Sequence, residues 1–150
     1  MINEYKNTML ISPNNVKSYG TLNLNVDDSA IGNAIRIAQN VYLVDIIGKD
    51  LVDKVQQLVY NKIQGLEDKI DDAANEHYKI LLDEYIEPVL VYRTAVEVAT
   101  LETLKLRNMG VVKNSDTNVN QTSDSSFKYL AHYNNTLFYD YVNKMVEFLC

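Results

Sequence analysis

Residues 77–109 read HYKILLDEYIEPVLVYRTAVEVATLETLKLRNM and are interrupted by a single proline, Pro88. Past it, Val89, Tyr92, Val96, Ala99, Thr103 and Leu106 follow one another in steps of three and four, which places them on one helical face. A second row, Leu90, Thr94, Val98, Leu101 and the stem of Lys105, widens the stripe. A helix apolar over so much of its circumference needs cover on more than one side. The stretch is therefore read as the central rod of an all-α domain. Upstream, residues 75–85 predict a helix with Tyr78, Leu81, Leu82 and Tyr85 facing inward. Pro88 donates no backbone hydrogen bond and crowds the preceding turn, so a kink or break is expected at Ile86-Glu87, with Pro88 in the first turn of the rod. Asn108 and Gly110 are its stop signals.

Working outward from the rod, residues 111–126 (VVKNSDTNVNQTSDSS) hold one apolar residue, Val119, after Val112. Such a segment cannot order itself by burial and is expected to be a long polar loop within the domain. A last helix over about 125–149 comes next, with Phe127, Leu130, Asn134, Leu137, Phe138, Tyr141, Met145 and Leu149 as its inward row and Tyr129, Tyr133 and Tyr139 beside it. On the other side of the rod, residues 66–76 are acidic and mixed, either a solvated helical turn or a connector. Before them lie two helices. One is capped by Asp27, Asp28 or Ser29, buries Ile31, Ala34, Ile35, Ala38, Val41 and Tyr42, and stops at Gly48. The next is capped by Asp50, buries Leu51, Val55, Leu58, Val59 and Ile63, and closes at Gly65. Together they predict a hairpin with its corner at Ile46-Ile47-Gly48.

Residues 1–26 are expected to be an extended N-terminal arm in front of a helical domain over 27–150. Within the arm, Met9, Leu10 and Ile11 suit a strand or a docking segment. Ser12-Pro13 signals a short helical turn ended by Gly20, and the alternation of residues 21–26 suggests an extended piece. The fold class is thus all-α: a bundle of about four to five helices with that arm and the polar loop before the last helix.

The chain is long enough for one domain with a real core, and 47% of its residues are hydrophobic, an ordinary globular share. A net charge of −6 argues against electrostatically driven nucleic-acid binding, because acidic surfaces lack the counterion-release term. Cys150, the sole cysteine, allows no intrachain disulfide and fits a reducing compartment. No basic leader and no run of ~20 apolar residues is read, so a soluble protein made in the cytoplasm is expected, with no membrane partner. The 11 tyrosines against 3 phenylalanines suit half-buried positions and interfaces.

Motifs that could carry chemistry are sparse. Gly48-Lys49-Asp50 lacks the upstream glycine of a phosphate loop, where Leu43 stands, and carries Asp50 in place of Ser or Thr; a helix corner is the simpler reading. His77 and His132 lie on separate helices with Ala74 and Tyr129 where a carboxylate-bridged metal bundle needs glutamates. Asp83, Glu84 and Glu87 form an acidic cluster better read as a solvated helix start than as an acid–base pair. The expectation is therefore no enzyme, with no catalytic, cofactor-binding or metal-ligating residues and no cofactor.

One further pattern runs through the chain. It comprises Ala38-Gln39, Leu43, Ile46-Ile47-Gly48 and Leu51; then Leu81-Leu82-Asp83-Glu84-Tyr85-Ile86 with Pro88, Leu90 and Tyr92. Asn108, Gly110-Val111-Val112, Lys128-Tyr129-Leu130, Tyr141 and a terminal Phe148-Leu149-Cys150 complete it. Over roughly residues 31–150 this resembles the small helical head–tail connector proteins of tailed bacteriophages, in the version found in crAss-like gut phages and related proviruses. The resemblance implies a virion neck protein, made in the host bacterial cytoplasm. It would form a homo-oligomeric ring, commonly dodecameric, that binds the portal protein and other neck or tail proteins. DNA would pass through its channel without sequence-specific binding. A tail-completion or other neck-ring subunit is the alternative, and a helical adaptor outside virions, binding through its tyrosine-rich face, is a third reading.

Overall fold

The computed structural model describes residues 4–19, 26–112 and 117–150, with backbone alone at 103, 105–112 and 117–127. Five helical rods and no strand are found among the described residues. The protein is an all-α bundle, as its periodicity predicts.

The first rod is the short α1 (Pro13–Ser18). Its start is set by a reciprocal cap: the Ser12 hydroxyl accepts the Asn15 N–H at 3.2 Å, while Asn15 Oδ1 accepts the Ser12 N–H at 2.7 Å, and Pro13 occupies the first position. The second rod begins as α2 (Asp28–Ile37), capped by Asp27, whose carboxylate accepts the Ser29 N–H at 3.3 Å. It widens through a π-helical stretch (Ala38–Leu43) and ends as α3 (Val44–Ile47) at Gly48, φ 88°. The third rod is α4 (Lys49–Gln64); Asp50 lies in its first turn, while the capping position belongs to Gly48. It closes at Gly65, φ 69°, where Gly65 N–H donates to the Lys62 carbonyl and Leu66 N–H to that of Asn61, the paired bonds of a left-handed cap.

Residues 66–76 form an ordered connector. Asn75, buried, donates from Nδ2 to Asp68 Oδ1 at 2.8 Å and to the Lys69 carbonyl at 2.7 Å, and Ile70 of the same connector is also buried. The fourth rod runs as α5 (Glu76–Ile80), a second π-helical stretch (Leu81–Ile86) and α6 (Glu87–Val112). The break expected at Ile86-Glu87 is absent: Ile80, Leu81 and Glu87 all keep right-handed helical dihedrals. A π turn moves the carbonyl's partner one residue further along, which opens the turn just ahead of Pro88. The missing N–H is absorbed there without ending the helix.

The last rod, α7 (Thr117–Leu149), packs antiparallel along α6. Its start corrects the polar-loop expectation: residues 111–112 close α6 and residues 117–126 are helical backbone, while 113–116 lie outside the described residues. Extending an already formed helix through Ser, Thr, Asn or Asp costs each residue only ~0.5–0.7 kcal/mol relative to Ala. Polar composition thus rules out a private core but not a helix anchored further along.

The core lies around the first half of α6. Val89, Leu90 and Val91 are consecutive and fully buried, as are Thr94 and Ala95; α2 covers one side, α7 another and α1 a third. Each fully buried Val or Leu contributes ~1.5–3 kcal/mol, so this crossing contributes heavily to stability. Among its described residues the N-terminal arm lies against this core. Residues 4–7 form a 3-10 turn, Met9 and Leu10 pack on the core as a docking segment, and Ile11 and Val16 belong to the core itself. The extended piece suggested for residues 21–26 falls, apart from Val26, on residues 21–25, which lie outside the described ones.

The docking is made by two glutamines. Gln39, in the first π-helical stretch, donates to the Thr8 carbonyl and accepts the Leu10 N–H, both at 2.9 Å. Gln56, on α4, donates to the Thr8 carbonyl at 3.1 Å and the Lys6 carbonyl at 3.3 Å. The predicted hairpin between the second and third rods therefore meets chiefly near its Gly48 corner, and the N-terminal segment threads between them.

Candidate interaction surface

The tyrosines divide by burial. Tyr19, Tyr92 and Tyr141 form a half-buried ladder: Tyr19 meets Tyr92 edge-on at 5.8 Å, and Tyr92 stacks on Tyr141 at 5.6 Å. Burial raises the pKa of Tyr19 and of Tyr92, with nearby Glu87 adding to the first and Tyr141 to the second. Tyr85 stacks on Phe148 at 4.7 Å. These pairs fix the register of α7 against the fourth rod. On that register Leu101 and Leu104 lie level with the turn of α7 that carries Tyr129 and Tyr133.

All four of those side chains are exposed, Tyr129 at 69%. Tyr129 and Tyr133 stand four apart, and Leu101 and Leu104 three apart, so each pair shares a face of its helix. They are exposed apolar side chains about midway along α6 and α7, beyond the part of α6 whose side chains join the core. The expected inward position of Leu101 is corrected on that ground: the face is apolar, but its cover ends at Val98 and Ala99. A second group, Val146, Phe148 and Leu149, is exposed at the far end of α7, correcting Leu149 as a core residue. A third, Ile37 and Val41, lies one helical turn apart on the second rod.

Val41 was expected inside. Its exposure comes from the π-helical stretch, whose extra residue rotates the later part of the rod by about 100°. Leu43 and Gln39 turn in, and Val41 turns out. Ile63, likewise expected inside, is 65% exposed on the wall of an open groove between α4 and the N-terminal segment.

Arg93 stitches three rods together. Its guanidinium lies 3.6 Å from the centre of the Tyr42 ring and 5.6 Å from that of Phe138, and pairs with Glu97 at 2.6 Å. The sequence motifs for chemistry do not converge. His77 and His132 are exposed on α5 and α7, Gly48 is the helix corner, and Cys150 is a free exposed thiol. Asp83 and Glu84 are exposed; Glu87 is half-buried, receives a 3.5 Å bond from Asn15 Nδ2, and has its carboxyl pushed up by burial and by the charge of Asp83. Among the described residues no group of three or more His, Cys, Asp or Glu could hold a metal ion, and no helix is long and apolar enough to cross a membrane.

Sequence reasoning missed the roles of Gln39, Gln56 and Arg93. A signal existed for the glutamines: Gln56 sits between Val52 and Val59 on an apolar row, and a polar residue on such a row must find partners.

Residues 43–150, well over half of the chain, match the model of a family described as a family of unknown function (DUF6712). The chain belongs to that family. Comparison with curated proteins and with solved structures returned no match.

Proposed function

We propose that this member of the family is a structural subunit of a virion neck. In this reading it assembles into a ring beneath the portal of a tailed bacteriophage and leaves a channel through which DNA passes. The observation that carries the reading is the placement of its exposed apolar groups. Leu101, Leu104, Tyr129 and Tyr133 are exposed about midway along α6 and α7, and Val146, Phe148 and Leu149 are exposed at the C-terminal end of α7. Two unlike exposed apolar groups at separate places on one bundle suit head-to-tail contacts, and head-to-tail contacts close into rings when the rotation permits. Contiguous exposed apolar surface is what interaction sites look like. The resemblance of residues 31–150 to phage connectors supplies the choice of neck over other assemblies. The net charge of −6 suits a wall that DNA slides past rather than grips.

Mass photometry and negative-stain imaging of the purified protein, alone and with a portal protein, test this. Closed rings are expected, and Leu101→Asp with Tyr133→Asp should abolish them while leaving the helical circular dichroism unchanged. Monomers under both conditions would sink the proposal. Co-purification with tail components but not with portal would move the subunit to a tail-completion or lower neck position.

A further inference from the structure

The N-terminal segment is held in two different ways along its length. Ile11 and Val16 are buried in the core, Val16 completely. Residues 4–10 contain no buried residue at all. They are fastened by the amides of Gln39 and Gln56 and by the Tyr60 hydroxyl, which donates to Glu4 at 2.7 Å, with Met9 and Leu10 half-buried against the core. Both glutamines are themselves 3% exposed, and among the described residues their hydrogen-bond partners are main-chain atoms: the Lys6 carbonyl, the Thr8 carbonyl and the Leu10 N–H.

Buried amides without partners are costly, so the groove between the first π-helical stretch and α4 calls for a polypeptide backbone within it. Main-chain recognition is also blind to which copy supplies that backbone. Beside the segment lies an open groove of about 500 Å³ whose walls include Met9, Leu10, Tyr60 and Ile63.

We infer that residues 4–10 are an exchangeable strap: the groove read by Gln39 and Gln56 is a binding site for the N-terminal segment of a second copy of this chain, with Ile11 as the pivot. The inference rests on the assembly reading for the supply of a neighbour. Exchange replaces each bond by its identical counterpart, so an adjoining copy at high local concentration is enough to favour it. Seven residues reach at most ~25 Å, so the neighbour's groove must open within that distance of Ile11.

The test uses full-length chains carrying Cys150→Ser, which removes the exposed native thiol. One chain carries Met9→Cys and a second Ile63→Cys, two positions on the walls of the same groove. They are mixed, oxidised with diamide and resolved on a non-reducing gel, with oligomeric mass measured in parallel. Covalent heterodimers are expected, and most of their yield should be lost when the Ile63→Cys chain also carries Gln39→Ala and Gln56→Ala. The decision itself rests on the parent pair, whose glutamines are intact. An intramolecular link in a Met9→Cys/Ile63→Cys double variant, with no heterodimer from the mixture, overturns the inference. So does equal linking of Met9→Cys to a distant Lys144→Cys. Oligomers without cross-copy links would reject exchange and leave the assembly reading standing. Cross-copy dimers without larger particles would do the reverse.

Discussion

The first half of α6 and the turn just beyond Thr100 carry similar apolar residues that meet different fates. Val89, Leu90, Val91, Thr94, Ala95, Val98 and Ala99 are all buried, because α1, α2 and α7 surround that stretch. Leu101 and Leu104 continue the same helix with the same kind of side chain and stand exposed, level with Tyr129 and Tyr133 on α7. The difference lies in the number of layers around the helix. A two-helix hairpin can cover only one stripe of each member, whereas a rod crossed on three sides can hide nearly its whole circumference.

The largest effects are expected in the first half. Val96→Asp places an unpaired carboxylate in the core and should abolish the folded state, read as loss of helical circular dichroism. Leu90→Ala should cost ~2–5 kcal/mol in urea unfolding, against ~0.5 kcal/mol or less for Leu101→Ala. Equal costs would mean that Leu101 is covered in the isolated chain. Thr94 sharpens the contrast from the other side. Its hydroxyl is buried without a partner, so Thr94→Val, which keeps the shape, should stabilise by ~1 kcal/mol. Gly65→Ala should cost ~1 kcal/mol, since the cap needs φ 69°.

The smallest effects are electrostatic and of opposite sign. Asp71 accepts hydrogen bonds from Lys62 and Lys79, which lower its pKa to about 2. Its folded-state pKa is depressed, so its contribution is present above the ordinary carboxylate range and fades as pH falls toward 2. Asp71→Asn should therefore weaken the protein slightly at neutral pH and converge with the parent in strong acid. The Glu87 carboxyl is raised by burial and by Asp83, so the folded state prefers it protonated and stability falls as pH rises through its titration. Glu87→Gln should gain stability at neutral pH and match the parent below the ordinary glutamate range. Urea midpoints across pH 2–7 read both.

The candidate surface was legible in part. Tyrosine richness pointed to interfaces, but Tyr92 and Tyr133 look alike as residues on helical rows; one is stacked between α1 and α7 and the other faces out. The glutamine clamp left a faint mark as polar residues on apolar rows. Nothing local said that the ligand was the chain's own N-terminal backbone, held by residues about 30 and 50 positions downstream.

Helicity and the main boundaries were written into the amino acids. The caps at Ser12 and Asp27, the stops at Gly48 and Gly65, and the three–four spacing of apolar residues act within about one turn and need no tertiary partner. Tertiary structure decided which faces are covered. The two π-helical stretches reset the phase of the rods, turned Val41 outward and Gln39 inward, and carried the fourth rod through Pro88. Packing also continued α7 back through a polar segment and folded the N-terminal residues onto the core. Side-chain periodicity fixes a direction relative to its own axis; whether anything lies in that direction depends on where distant parts of the chain begin and end.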